Sequence, residues 1–261
     1  MLGSPIAHSL SPALHRAAYT HLGLSDWDYG RHEVVADELA SFVADCDVRW
    51  RGLSLTMPLK EAALELGEVD DIARLAGAGN TLIFADDGSR QIHNTDVGGL
   101  VDALGAAGVT APERAVILGA GATARSTLVS LARLGAREIV VVARNPVKAG
   151  PLVPLADVLG VRLVLRSWDE PAPSTDLLVS TVTAGAADPR ADELAAASAA
   201  VFDVVYHPWP TPLAHAAALA ERVLLNGLDL LVHQAVRQVE LMTGRSVPAA
   251  VLYEAGHTAL D

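Results

Sequence analysis

A single cysteine, Cys46, stands in 261 residues, so neither an intramolecular disulfide framework nor a cysteine-rich zinc site can form. Aromatic residues make up 4% of the chain, which leaves a core built mostly from Leu, Val and Ala. Basic charge is also scarce: 19 Lys and Arg against 31 Asp and Glu give a formal net charge of −12. That balance argues against nucleic acid as a partner, because phosphate contacts need basic stripes, but it is compatible with a local basic pocket for a small anion. No apolar run reaches the length of a membrane span, and the opening MLGSPIAHSLSP lacks the charged and apolar regions of a signal peptide. The expected location is the cytoplasm, with no membrane partner. The histidines His8, His15, His207, His215 and His233 follow no ligand spacing, so no metal is expected.

What is present is the composition of a packed fold, 51% hydrophobic and 19% charged, with no repeat or low-complexity tract. Continuous apolar runs at 115–118, 138–142, 162–165, 176–182, 201–206 and 222–225 alternate with helical patterns after Leu100. Such runs are expected of parallel strands covered on both faces. The N-terminal part alternates too: a helix over 12–21, a strand over 27–34, a helix from Asp37, a strand over 52–56 and a helix over 60–66. A strand-turn-strand over 79–96 turns at Asp86-Asp87-Gly88. The fold class is therefore α/β in two lobes, with a doubly wound second lobe. The long amphipathic stretch 226–244 has no strand to serve, which suggests that it returns to the first lobe. The expected division is a first lobe of 1–97 completed by 227–261, and a second lobe of 98–226.

VILGAGATA puts Gly119 and Gly121 between a strand and a helix, with Ala120 and Ala122 beside them and Ala124 in the third slot of G-x-G-x-x-G/A. Glycines there permit a tight turn and let a pyrophosphate approach the positive end of the helix. The string is a weak signal alone and a stronger one inside a strand–turn–helix–strand unit. An NAD site would ordinarily carry Asp or Glu roughly 20 residues further on. This chain instead has Ala143, Arg144, Asn145 and then Lys148, cations suited to a 2′-phosphate, so NADP(H) is the expected cofactor.

GLSLTMPLKEAAL poses a separate question, since Lys60 follows a short apolar strand at the mouth of a turn. An ordinary surface lysine and a lysine doing chemistry in a cleft both fit. Further polar groups end successive elements: Ser9 and Ser11 in HSLSP, Thr56, Asn80 in GAGNTL, and Asp96 in HNTDVGG. Each has a plain alternative, with Ser11 and Asp96 as helix N-caps and Asn80 as a turn former. Taken together they are what a ligand crevice at the strand ends of an α/β fold would need.

The motifs GSPIAHSLSP, LSLTMPLK, GAGNTL, NTDVGG, GAGATAR, ARNPVK, DVVYHPWPTPL and GLDLLVHQAV occur in this order along essentially the whole chain. In these the sequence resembles the shikimate dehydrogenases. The resemblance implies reduction of 3-dehydroshikimate to shikimate with NADPH, in a monomer or homodimer whose last helices fold back on the substrate lobe. It implies that Lys60 is the catalytic lysine and Asp96 its partner, and that Ser9 and Ser11 bind the substrate carboxylate. Thr56, Asn80 and Gln234 would meet the ring hydroxyls, and Tyr206 would be a further substrate contact. Gly119, Ala120, Gly121, Ala122 and Thr123 would form the phosphate loop, with Arg144 and Lys148 on the adenosine phosphate. Val204 and Gly227 would lie on the nicotinamide side, and Asp71 at a further cofactor position. The departures are Ala122 for a common third glycine, ARN for a usual NRT, STVTAG for an Asn-Ala-Thr turn, and a short beginning that points to a start upstream of Met1. The rival reading is a quinate/shikimate dehydrogenase using NAD; both serines and Arg144 favour the biosynthetic enzyme.

Overall fold

The computed structural model describes residues 1–260, the side chain of Lys148 excepted. The chain divides into two compact units, Met1–Gly99 with Leu231–Asp261, and Leu100–Leu230.

The first unit runs β1 (Leu2–Gly3), α1 (Ser11–His21), β2 (His32–Glu33), α2 (Leu39–Ala44), β3 (Gly52–Ser54), α3 (Leu59–Ala62), β4 (Glu68–Val69), α4 (Asp71–Ala76), β5 (Thr81–Phe84), β6 (Arg90–His93) and the beginning of α5 (Thr95–Ala106). β1 and β2 pair in parallel, and four further strands order β3-β5-β6-β4. A parallel bridge between Leu2 and Leu55 links the two groups. The β5–β6 hairpin turns as its sequence requires: Gly88 takes φ +85° and the Asp87 carboxylate accepts the Ser89 N–H at 2.9 Å. The core beneath these strands is aliphatic and includes Leu2, Leu39, Leu53, Leu59, Leu82 and Ile92.

The strand expected over 27–34 is reduced to His32–Glu33, because its partner, β1, contributes two residues to the pairing. The helix expected over 60–66 is α3 followed by a 3₁₀ turn at Ala63–Glu65.

The second unit continues with β7 (Arg114–Leu118), α6 (Ala122–Arg133), β8 (Glu138–Ala143), α7 (Leu152–Leu159), β9 (Arg162–Ser167), β10 (Thr175–Ser180), α8 (Ala191–Ala196), β11 (Ser198–Asp203), α9 (Pro212–Leu219) and β12 (Val223–Asn226). Its six strands are all parallel in the order β12-β11-β10-β7-β8-β9. Counting from β7, this is the 3-2-1-4-5-6 order of a dinucleotide-binding sheet, with the topological switch between β7 and β10. Val116, Leu118, Val140, Val142, Leu178 and Val201 are buried in one cluster, which explains the unbroken apolar runs. α10 (Gly227–Thr243) carries the chain back, so that its residues from Leu231 and α11 (Ala249–Leu260) complete the first unit. There α11 packs on α1.

Candidate functional site

Lys60 owes its position to a change of direction after β3. The Thr56 N–H donates to the Leu2 carbonyl at 2.9 Å, and the Leu59 N–H donates back to the Thr56 carbonyl at 2.8 Å. α3 therefore starts directly behind the strand, with Leu59 in the core and Lys60 one residue on. Its Nζ lies 2.6 Å from Asp96 Oδ2, and the two side chains are only 14% and 9% exposed. A pair so placed is neither a solvated surface contact nor wholly sealed from water.

Asp96 is not the N-cap of α5. That role falls to Asn94, whose Oδ1 accepts the Val97 N–H at 3.1 Å and whose amide donates to the Ala78 carbonyl at 2.8 Å. The Asp96 carboxylate is thereby released to face Lys60.

Asn80 is likewise no turn residue but a buried hub, 2% exposed. The Thr95 N–H donates to its Oδ1 at 2.8 Å. A backbone N–H can only donate, so the amide is oriented without ambiguity and Nδ2 faces the acceptors. Nδ2 reaches Asp96 Oδ1 at 2.8 Å, Thr95 Oγ1 at 2.9 Å and Gln234 Oε1 at 3.5 Å. One carboxylate is thus held by an ammonium on one oxygen and an amide on the other. Close approach of α10 to α5 makes this possible: a Cβ on Gly99 would lie 2.7 Å from the Gln234 backbone nitrogen.

Ser11 is not an N-cap either. It is the first residue of α1; Leu10 precedes it without a side-chain cap, and the Ser11 N–H donates to Ser9 Oγ at 3.3 Å. Ser11 is 1% exposed, and its Oγ has no hydrogen-bond partner among the described residues, whereas Ser9 is half-buried. Thr56 is half-buried, with its methyl against Gly3. Asp71 is exposed in the first turn of α4, which Asp70 caps.

In the second unit, a cleft of about 610 Å³ opens at the switch point and is lined by Gly119, Ala120, Gly121, Ala143, Arg144 and Thr181, among others. Gly119 takes φ +106°, and a Cβ there would lie 2.7 Å from Thr181 Oγ1. α6 begins after Gly121 with no side chain capping its first turn, so those N–H groups are open to an anion. No carboxylate follows β8: Arg144 is exposed, and so is Asn145, which caps the next turn by accepting the Val147 N–H at 3.1 Å. The residues present fit a dinucleotide carrying an extra phosphate. Lys148, the expected second cation, has its side chain outside the described residues. Gly227 lies against Val204, whose carbonyl oxygen would collide with any Cβ there. Burial pushes the Tyr206 hydroxyl up in pKa. Burial also pushes the Asp203 carboxyl up, opposed by donation from Thr211 Oγ1 at 2.8 Å.

The chain matches the model of the shikimate dehydrogenase substrate binding domain over residues 1–82 and that of the shikimate 5'-dehydrogenase C-terminal domain over 227–255. It is 38% identical to the shikimate dehydrogenase (NADP(+)) of Caulobacter vibrioides, over 94% of this chain and 88% of that protein. The chain belongs to the shikimate dehydrogenase family. Among solved structures, shikimate dehydrogenase of Mycobacterium tuberculosis superposes with a TM-score of 0.92 at 42% identity, covering 98% of this chain and 97% of that one. The Thermus thermophilus shikimate 5-dehydrogenase, in complex with NADP(H) and shikimate, gives 0.87 at 34%, over 99% and 97%. A 5-ketofructose reductase of Gluconobacter gives 0.87 at 32%, over 98% and 96%.

Family membership joins the fold to the motifs, but two parts of the geometry had no counterpart in the sequence reading. Gln238, one helical turn beyond Gln234, enters the buried network through Ser54 and Thr81; its i, i+4 spacing was the available signal. Trp168 lines the dinucleotide cleft from a loop that carries no motif, beside Thr181 and Thr183 of the STVTAG stretch.

Proposed function

We propose that this protein reduces 3-dehydroshikimate to shikimate with NADPH, reversibly, and that Lys60 and Asp96 carry the proton transfer. The observation that carries the reading is the 2.6 Å Lys60–Asp96 pair with Asn80 on the second carboxylate oxygen. When bound, the nicotinamide supplies or accepts the hydride. Reduction of a ketone also needs a proton at oxygen and a positive group beside the developing alkoxide. An alkylammonium ordinarily holds its proton at neutral pH, so Lys60 can donate Nζ–H to that oxygen. Asp96 keeps the ammonium aimed and Asn80 keeps the carboxylate from rotating. In the reverse direction, the neutral amine of Lys60 takes the hydroxyl proton.

Thr56, Asn80 and Gln234 bind the ring hydroxyls, Ser9 and Ser11 the carboxylate, and Tyr206 makes a further substrate contact. The unpartnered hydroxyl of Ser11 supports the carboxylate assignment, since a buried polar atom is ordinarily satisfied. Gly119, Ala120, Gly121, Ala122 and Thr123 hold the pyrophosphate, Arg144 and Lys148 the 2′-phosphate, and Val204 and Gly227 flank the nicotinamide. The substrate lobe is the first unit and the cofactor lobe the second. The cytoplasm is the assigned compartment, compatible with the lone free thiol of Cys46.

The test follows NADPH absorbance with purified protein given shikimate or quinate, each with NADP or NAD, and NADPH with 5-ketofructose in a further well. Turnover confined to shikimate with NADP is expected. Equal rates with quinate and NAD would transfer the protein to the rival reading, and turnover only with 5-ketofructose would overturn the substrate.

A further inference from the structure

We propose that Gln238 is a positioning residue for the Lys60–Asp96 pair, acting through Thr81 and Asn80 as a one-way chain of hydrogen bonds that ends on the Asp96 carboxylate. The inference rests on the reaction assigned above.

The direction of each link follows from groups that have no choice. Gln238 is 1% exposed. Its Nε2 lies 3.4 Å from the Asn80 backbone carbonyl, which can only accept, so the Gln238 amide is oriented. Oε1 then faces Ser54 and accepts its hydroxyl proton at 2.8 Å. Nε2 also donates to Thr81 Oγ1 at 3.0 Å. With a donor already on its oxygen, the Thr81 hydroxyl turns its own proton to Asn80 Oδ1 at 3.0 Å, closer than Thr95 Oγ1 at 3.5 Å. Asn80 is oriented independently by the Thr95 N–H and passes donation on to Asp96 Oδ1 at 2.8 Å. The sequence is Ser54 to Gln238 to Thr81 to Asn80 to Asp96, every member except Asp96 a donor to the next. Asp96 Oδ2 receives Lys60.

Ser54, Asn80, Thr81 and Gln238 are all buried, where hydrogen bonds in series polarise one another and an unmatched group costs most. Without Gln238 the Thr81 hydroxyl loses its donor and the reason to point at Asn80. The amide that braces Asp96 then loosens, although Gln238 touches neither Lys60 nor Asp96. A glutamine serving only to fill α10 would not require this order of donors.

The experiment compares Gln238→Met, Thr81→Val, Thr81→Ser and the double variant Gln238→Met/Thr81→Val with the wild-type full chain. The expected result is a kcat for shikimate oxidation lower by about 3- to 10-fold in Gln238→Met and Thr81→Val, the worth of one net hydrogen bond. KM for NADP is expected to stay within about twofold, the double variant to be no slower than the slower single one, and Thr81→Ser to recover most of the rate. Wild-type kcat in folded Gln238→Met, multiplied losses in the double variant, or Thr81→Ser as slow as Thr81→Val would overturn the proposal. If Gln238→Met does not fold, the two Thr81 variants decide by the same criteria. The side-chain amide signals of Asn80, followed by NMR, give a readout independent of turnover. They should move in Gln238→Met and Thr81→Val but not in Thr81→Ser. Movement of those signals in a protein that leaves shikimate unoxidised would refute the assigned reaction and keep the relay.

Discussion

Replacing Lys60 by Met separates the chemistry of the site from its stability. The side chain is 14% exposed and its acidic partner, Asp96, is 9% exposed. Breaking a buried ion pair from one side costs roughly 3–5 kcal/mol, because the remaining charge is stranded. Here Asp96 keeps the Asn80 amide at 2.8 Å on its other oxygen, and the residual exposure admits water. The expected loss is therefore lower, about 1–3 kcal/mol, or a melting temperature lower by roughly 2–4 °C for each kcal/mol. Turnover should fall far more, by about 10²–10⁴, the weight of a positioned proton donor. Adding Asp96→Asn removes the stranded charge, so Lys60→Met/Asp96→Asn should regain stability without regaining activity. Thermal melts and NADPH-linked kinetics on the two variants suffice. A Lys60→Met enzyme within tenfold of wild type would refute the proton-donor role. Unchanged melting would refute the description of the pair as largely buried.

Arg144→Ala should raise KM for NADP by about 10- to 100-fold, the worth of a charge-assisted phosphate contact, and leave KM for NAD nearly unaffected; steady-state kinetics with both cofactors read this. Gly99→Ala drives a methyl to 2.7 Å from the Gln234 backbone nitrogen, so α10 must shift, at about 1–3 kcal/mol; equal melting temperatures would show that the helices yield freely. His15 is buried against Tyr29, with ring centroids 3.9 Å apart, and burial lowers its pKa to about 3. The folded protein thus resists a proton that the unfolded chain takes up near pH 6.5. Stability from this group is complete above about pH 6.5 and is lost as pH falls toward 3, by at most about 4–5 kcal/mol at the bottom of that window. Denaturant titrations across pH should show a shallower acid loss for His15→Leu, and equal slopes would contradict the burial argument.

The second unit was the more legible part. Parallel strands covered on both faces leave unbroken apolar runs, and 115–118 and 138–142 became β7 and β8 with one or no residue added at either end. GAGATA likewise announced its turn, because a positive φ at Gly119 is a local demand that only glycine meets easily. The stretch TDVGGLVDALGA forms α5 in spite of its paired glycines, which weaken a helix by themselves. Gly98 and Gly99 are there for the approach of α10, whose residues lie more than a hundred positions away. The same distance hid the real duties of Asn80 and Asp96. Locally, an Asn after Gly and an Asp before a helix look like a turn former and a cap. Only the packed chain, with Asn94 taking the cap and Gln234 and Gln238 arriving on α10, turns Asn80 toward Asp96 and Asp96 toward Lys60. Residue types and short-range spacing carry the strands and the phosphate turn, whereas Lys60 by itself fits a surface as well as a cleft. Which polar atom faces which is settled by long-range packing, because each buried donor must find its acceptor among groups that only the tertiary fold brings near.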